Sequence, residues 1–98
     1  MKIYIAGKIT GHENYKSDFK KAELDLKLKG HIVLNPADTV ARIDGLKHEE
    51  YLHICLAMID IADAVTFLPN WKDSKGAKME MEYAKKANKK IMYLEDLK

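Results

Sequence analysis

Cysteine is nearly absent from this sequence. Cys55 is the single one in 98 residues, which excludes an internal disulfide or a cysteine metal cluster and suits a reducing compartment. Long apolar runs are missing too. No stretch approaches the ~20 residues that a bilayer crossing needs, and the opening MKIYIAGKITG has neither the apolar core nor the small-residue cleavage site of a signal peptide. A soluble, cytoplasmic protein with no membrane contact is expected. Nor does one sign of charge dominate: 17 Lys and Arg against 15 Asp and Glu leave a formal charge of +2. The basic residues are scattered, so the broad field of a binder of nucleic-acid polymers is not evident. The four histidines, His12, His31, His48 and His53, show no metal-ligand spacing, and no metal is expected. Repeats, linkers and low-complexity segments are lacking as well. The chain reads as one domain over 1–98, short for an enzyme with its own lid or second lobe. A site completed by a neighbouring subunit, and hence a homo-oligomer, is the corresponding expectation.

What is present is an alternation of strand and helix signals. KIYIA (Lys2 to Ala6) mixes β-branched and aromatic residues and ends at Gly7, as a buried strand does. After the glycine-bounded loop GKITGHEN, the positions Tyr15, Phe19, Ala22 and Leu26 recur at helical spacing. They predict an amphipathic helix from Asn14 to Lys29, stopped by Gly30. HIVLNP gives a second strand, and its connection through a helix makes it parallel to the first with a right-handed crossover. Pro36 to Gly45 is mixed, with at most one helical turn legible. KHEEYLHICLAMIDIA, about Lys47 to Ala62, is a helix apolar on more than one side, as for one packed between a sheet and another surface. DAVTFLP is a third strand, NWKDSKG a polar loop, Ala77 to Asn88 a helix and KIMYL a fourth strand. The whole describes a small Rossmann-like α/β fold: an open, mostly parallel sheet of about four strands with flanking helices. In such sheets ligands sit beyond the carboxyl ends of the strands, which singles out the loops AGKITG, NPAD and PNWKDSKG.

The last helix holds two glutamates, Glu80 and Glu82, that a helix cannot point the same way. With Glu80 at zero on a wheel of ~100° per residue, Gly76, Ala77, Tyr83, Ala84 and Ala87 fall within ~60° of it. Lys78, Glu82, Lys85 and Lys89 fall on the far side. Glu82 therefore belongs to a solvated face, within reach of Lys78, Lys85 and Lys86. Glu80 lies on the inward stripe, where a carboxylate must be hydrogen-bonded, paired or open to a cavity. The small residues beside it leave room for a cavity, and the nearby helix start favours its ionised form. That suits a nucleophile or base; the alternative is an ion pair with a lysine or a loop cap at the sheet edge.

KIYIAGKITG, GHIVLNPAD, IADAVTFLPNW and DSKGAKMEMEYAKKANKKI resemble, in order, the segments of a small uncharacterised bacterial and phage family grouped with the nucleoside 2-deoxyribosyltransferase superfamily. The most specific parts are the tyrosine and glycine-rich first loop, the Asp63 to Trp71 strand and loop, and the S-x-G-A-x-x-E pattern of Ser74, Gly76, Ala77 and Glu80. The resemblance implies that Glu80 attacks the anomeric carbon of a 2-deoxyribonucleoside or its 5′-monophosphate, with the glycosyl-enzyme then passing to a second base or to water. It also implies that Tyr4 and Gly7 line the sugar pocket, and that Ser74 and Gly76 offer a hydroxyl and amides at the helix start. The chain departs from the pattern where many members have Pro in place of Lys8, Gly in place of Asn70 and an acidic residue in place of Lys72. Classical transferases carry an Asp close to the Ser74 position; here the nearest carboxylates are Asp73 and Asp63.

Asp73 is the candidate for positioning the leaving base or a sugar hydroxyl. Asp63 either contacts the base or, at the start of a strand, caps the preceding helix. Trp71 offers a stacking platform for a base or a cover for the core edge, and Lys8 a point charge for a phosphate or an ordinary surface lysine. AGKITG lacks the spacing of a Walker A loop or a dinucleotide fingerprint, so neither NAD nor ATP, nor any other cofactor, is expected. The expected activity is cleavage of, or base exchange at, the N-glycosidic bond of a deoxynucleoside or deoxynucleotide. The alternatives are a non-catalytic nucleotide-binding or sensing module on the same fold, and a partner-binding protein in which Glu80 is a buried ion-pair member.

Overall fold

The computed structural model describes residues 1–94 of the chain. Four strands and three α-helices alternate along it: β1 (Lys2–Ala6), α1 (Tyr15–Leu28), β2 (Ile32–Leu34), α2 (His48–Ile61), β3 (Ala64–Phe67), α3 (Lys75–Lys86) and β4 (Lys90–Tyr93). The strands form one sheet in the order β2-β1-β3-β4, and every neighbouring pair is parallel. Tyr4 of β1 stands opposite Leu34 on one side and Val65 on the other.

Alternation along the two central strands divides the core in two. Ile3, Ile5, Ala64 and Leu68 pack with Phe19, Ala22 and Leu26 of α1 on one face. Tyr4, Ala6, Val65 and Phe67 pack with Cys55 and Ile59 of α2 and Met81 and Ala84 of α3 on the other. From β1 to β2 the chain moves one way across the sheet; from β2 through β3 to β4 it moves the opposite way. Crossovers of a single hand then require α1 on one face and α2 and α3 on the other, as observed. This reversal of direction opens a crevice beyond the carboxyl ends of β1 and β3, the place where doubly wound sheets bind ligands.

Most element boundaries agree with the sequence expectation to within a residue or two, and the larger differences have local causes. α3 begins at Lys75 rather than Ala77 because Ser74 caps it: the Ser74 hydroxyl accepts the Ala77 N–H at 3.1 Å, a cap worth about 1 kcal/mol. It stops at Lys86, and Asn88 adopts a left-handed φ of 57° before β4. The segment after β2 holds two 3₁₀ turns, Pro36–Asp38 and Val40–Arg42, in place of one helical turn. Its anchor is Asn35, which is buried; its side chain accepts the Ala37 N–H at 3.0 Å and donates to Glu23 at 2.9 Å. A third 3₁₀ turn, Trp71–Asp73, lies inside the polar loop after β3.

Gly7, at the end of β1, is required by packing. A Cβ there would stand 2.7 Å from Leu68 Cδ1 and 3.0 Å from Leu68 Cβ and Cγ, and Leu68 is itself buried. Gly7→Ala should therefore lower unfolding free energy by about 1 to 3 kcal/mol, read as a lower urea midpoint at unchanged slope.

Candidate functional site

The crevice holds a cavity of about 310 Å³, at the small end of the ~300 to 1,000 Å³ typical of small-molecule sites. The loop after β1 contributes Gly7, Ile9 and Thr10, the loop after β2 Pro36, the start of α2 His48, Tyr51 and Leu52, and the start of α3 Asp73 to Ala77, with Tyr4 and Glu80 in the wall. Three βα loops thus converge on one space.

Glu80 is the chemical centre of that space. Its position one turn into α3, on the stripe shared with Ala77 and Ala84, turns it toward the sheet, and its side chain is 6% exposed. The buried Tyr4 hydroxyl donates to Glu80 Oε2 at 2.5 Å. Burial pushes the Glu80 carboxyl up to about 7, while the Tyr4 hydrogen bond pulls the other way by favouring the carboxylate. Tyr4 is raised well above the ordinary phenol value, first by burial and then by the charge of Glu80. Near neutral pH the pair is thus a neutral phenol donating to a carboxyl poised between its two forms. Lys75 and Gly76, whose amides in the first turn of α3 have no intrahelical acceptor, line the cavity.

Glu82 is exposed, and among the described residues it forms no ion pair with Lys78, Lys85 or Lys86. The inward and outward assignment of the two glutamates from the helical wheel therefore matches the structure.

Six of the nine expected site residues line the cavity together: Tyr4, Gly7, Asp73, Ser74, Gly76 and Glu80. The other three stand elsewhere. Asp63 immediately precedes β3 at the opposite, amino edge of the sheet, where its carboxylate accepts the Lys2 N–H at 2.8 Å; that hydrogen bond holds its carboxyl below the usual value. A base contact from there is out of reach. Trp71 packs its ring 5.3 Å from that of Phe67 with the Lys72 ammonium 5.8 Å from its centre, so it covers the core edge outside the cavity wall. Lys8 is in the first loop, and its backbone N–H donates to Asn70 Oδ1 at 3.2 Å, tying the first loop to the third.

Sequence reasoning missed the contribution of α2. His48, Tyr51 and Leu52 line the cavity, and Cys55, one turn further on, is fully buried against Tyr4. The available signal was the helical spacing of His48, Tyr51 and Cys55, three and four residues apart on one face of a helix whose other polar residues are Glu49, Glu50, His53 and Asp60. Among the described residues no group of three or more His, Cys, Asp or Glu side chains is placed to hold a metal ion, and no helix is long and apolar enough to cross a membrane.

A family model described as a domain of unknown function, DUF4406, matches residues 1–93. Among solved structures, the chain is similar to a 2-deoxyribosyltransferase from the psychrotolerant bacterium Bacillus psychrosaccharolyticus. Identity is 25% and the TM-score 0.75, over 95% of this chain and 71% of that one. A 2-deoxyribosyltransferase from Leishmania mexicana shares the fold at 20% identity and a TM-score of 0.68, over 94% of this chain and 62% of that one. No curated protein matches the chain.

Proposed function

The chain belongs to the DUF4406 family, with the fold of the 2-deoxyribosyltransferases, and on that premise we propose that it breaks the N-glycosidic bond of a 2-deoxyribonucleoside or its 5′-monophosphate with Glu80 as the nucleophile. The observation that carries this reading is the buried Glu80 carboxyl in the wall of a nucleoside-sized cavity, held by the Tyr4 hydroxyl at 2.5 Å.

A buried carboxylate whose one strong hydrogen bond leaves its second oxygen available suits attack on an electron-poor carbon. Ionised Glu80 adds to C1′; the C1′–N bond breaks, its electron pair leaves with the base, and the base takes up a proton. Water or a second base then attacks C1′ from the other side, releasing Glu80 as the carboxylate, so two inversions return the original configuration. Tyr4 aims the carboxylate by holding one oxygen. Asp73 positions the leaving base or a sugar hydroxyl, and Ser74 with the first-turn amides of Lys75 and Gly76 receives the 5′ oxygen or phosphate; their common place in the cavity lining supports this.

The test is a panel of deoxynucleosides and their 5′-monophosphates, with and without a second free base, followed by chromatography for released or exchanged base. Release from at least one member is expected. Exchange only when a second base is present identifies a transferase, and release in water alone a hydrolase. Binding without release from any member contradicts the catalytic reading and leaves a nucleotide-binding module.

A further inference from the structure

A second cavity, of about 290 Å³, is lined by Lys16 and Lys20 of α1, by Asn35, and by Ala37, Asp38 and Arg42 of the two 3₁₀ turns after β2. α1 and the first of those turns also supply Phe19 and Pro36 to the wall of the Glu80 cavity. The two spaces thus share a partition, but none of the lining residues of the second belongs to the first.

Charge sets the second cavity apart. Three cations, Lys16, Lys20 and Arg42, stand against one carboxylate, Asp38, an excess of +2 that equals the formal charge of the whole chain. These cations also have bonding capacity to spare. Among the described residues Lys16 forms no ion pair. Lys20 is 3.6 Å from Glu23, whose carboxylate is already met by Lys27 at 2.8 Å and by the Asn35 amide at 2.9 Å. Arg42 donates to Asp38 at 3.2 Å, and a guanidinium has five N–H groups to give.

Two further features favour an anion there. Lys16 is in the first turn of α1, where a cation opposes the helix dipole and does nothing for the fold. Asn35 is buried, and its amide gives one hydrogen to Glu23 and has a second to donate.

We propose that this cavity is a separate binding site for the phosphate group of a small phosphorylated molecule. Arg42 holds the phosphate as a fork, Lys16 and Lys20 neutralise it as point charges, and the Asn35 amide donates from the cavity wall. The site stands whether or not Glu80 is a nucleophile.

The experiment titrates ¹⁵N-labelled protein with pyrophosphate and with a deoxynucleoside 5′-monophosphate, against sodium chloride at matched ionic strength, and follows the backbone amides. Saturable shifts at residues 35–42 are expected with pyrophosphate. Shifts there with the monophosphate as well extend the site to nucleotides; their absence restricts it to the more highly charged group. The side chains of Lys20, Asp38 and Arg42 are 56%, 54% and 70% exposed, and Lys16 is exposed too, so substitution there leaves the fold intact. Lys16→Ala and Arg42→Ala should each weaken pyrophosphate binding about threefold or more, and the double variant at least about tenfold. Asp38→Asn, which removes the opposing charge, should tighten it about threefold, while Lys86→Ala on the exposed face of α3 should change nothing. Pyrophosphate shifts confined to Ser74–Ala77, no saturation by about 20 mM, or equal affinity in the double variant would each overturn the site.

Discussion

Glu80→Gln should cut base release by at least about 10³-fold, with circular dichroism and the elution volume unchanged. The amide is nearly isosteric and still accepts the Tyr4 hydroxyl hydrogen bond, so the cavity and the Tyr4 geometry survive while the nucleophile does not. Glu82→Ala, two residues away on the exposed face of the same helix, should leave the rate within about twofold, since exposed charges on a helix contribute only tenths of a kcal/mol. The paired comparison separates a catalytic role from a general effect of charge on α3. If Glu80→Gln kept full activity, or Glu82→Ala lost it, the assignment of the two carboxylates would be wrong.

The same substitution should have a second large effect, of opposite benefit. Burial raises the Glu80 carboxyl from its usual 4.5 to about 7, so between those values the unfolded chain has released a proton that the folded chain still holds. Stability linked to Glu80 is therefore fully present below about pH 4.5, falls as pH rises, and is lost above about pH 7. The shift corresponds to about 3 kcal/mol. Glu80→Gln, which has nothing to ionise there, escapes that cost. It should match the wild type near pH 4 and exceed it by about 3 kcal/mol at pH 8, on the order of 10 °C or more in melting temperature for a domain of this size. Urea denaturation at the two pH values measures it. A wild type as stable as the variant at pH 8 would mean that Glu80 ionises without strain and that its burial imposes no cost. Activity should follow the complementary course, rising through about pH 7 as Glu80 becomes the carboxylate that attack requires.

The pairing of these effects is what an active-site carboxylate predicts: a residue that destabilises the fold at working pH and is needed only for chemistry. A structural ion-pair member would behave in the opposite way, losing stability when neutralised.

The sequence discloses the architecture well because its signals are local. Tyr15, Phe19, Ala22 and Leu26 mark α1 by spacing alone, and the separation of Glu80 from Glu82 needs only the helical repeat. The parallel sheet follows from helices between strands. Asp63, Trp71 and Lys8 were harder to place, since closeness in sequence to a site loop does not say which edge of the sheet, or which side of a loop, a side chain occupies. Asp63 is next to β3 but at its amino end; Trp71 is in the right loop but turns toward Phe67. The part played by α2 was not visible for a related reason. Only the reversal of strand order at β1 and β3 sets the first turns of α2 beside the start of α3, and no local pattern encodes that reversal. Resemblance supplied the chemistry of Glu80, while burial and the Tyr4 hydrogen bond supply its physical basis in this chain.

The most direct measurement is intact-protein mass spectrometry after rapid acid quench of the protein with a deoxynucleoside or deoxynucleotide that it cleaves, followed by peptide mapping. A mass increase of one 2-deoxyribosyl unit, or its 5′-phosphate, located on Glu80 and absent from Glu80→Gln, is the predicted result. Base release with no adduct at any quench time, or an adduct on another residue, would contradict Glu80 as the nucleophile.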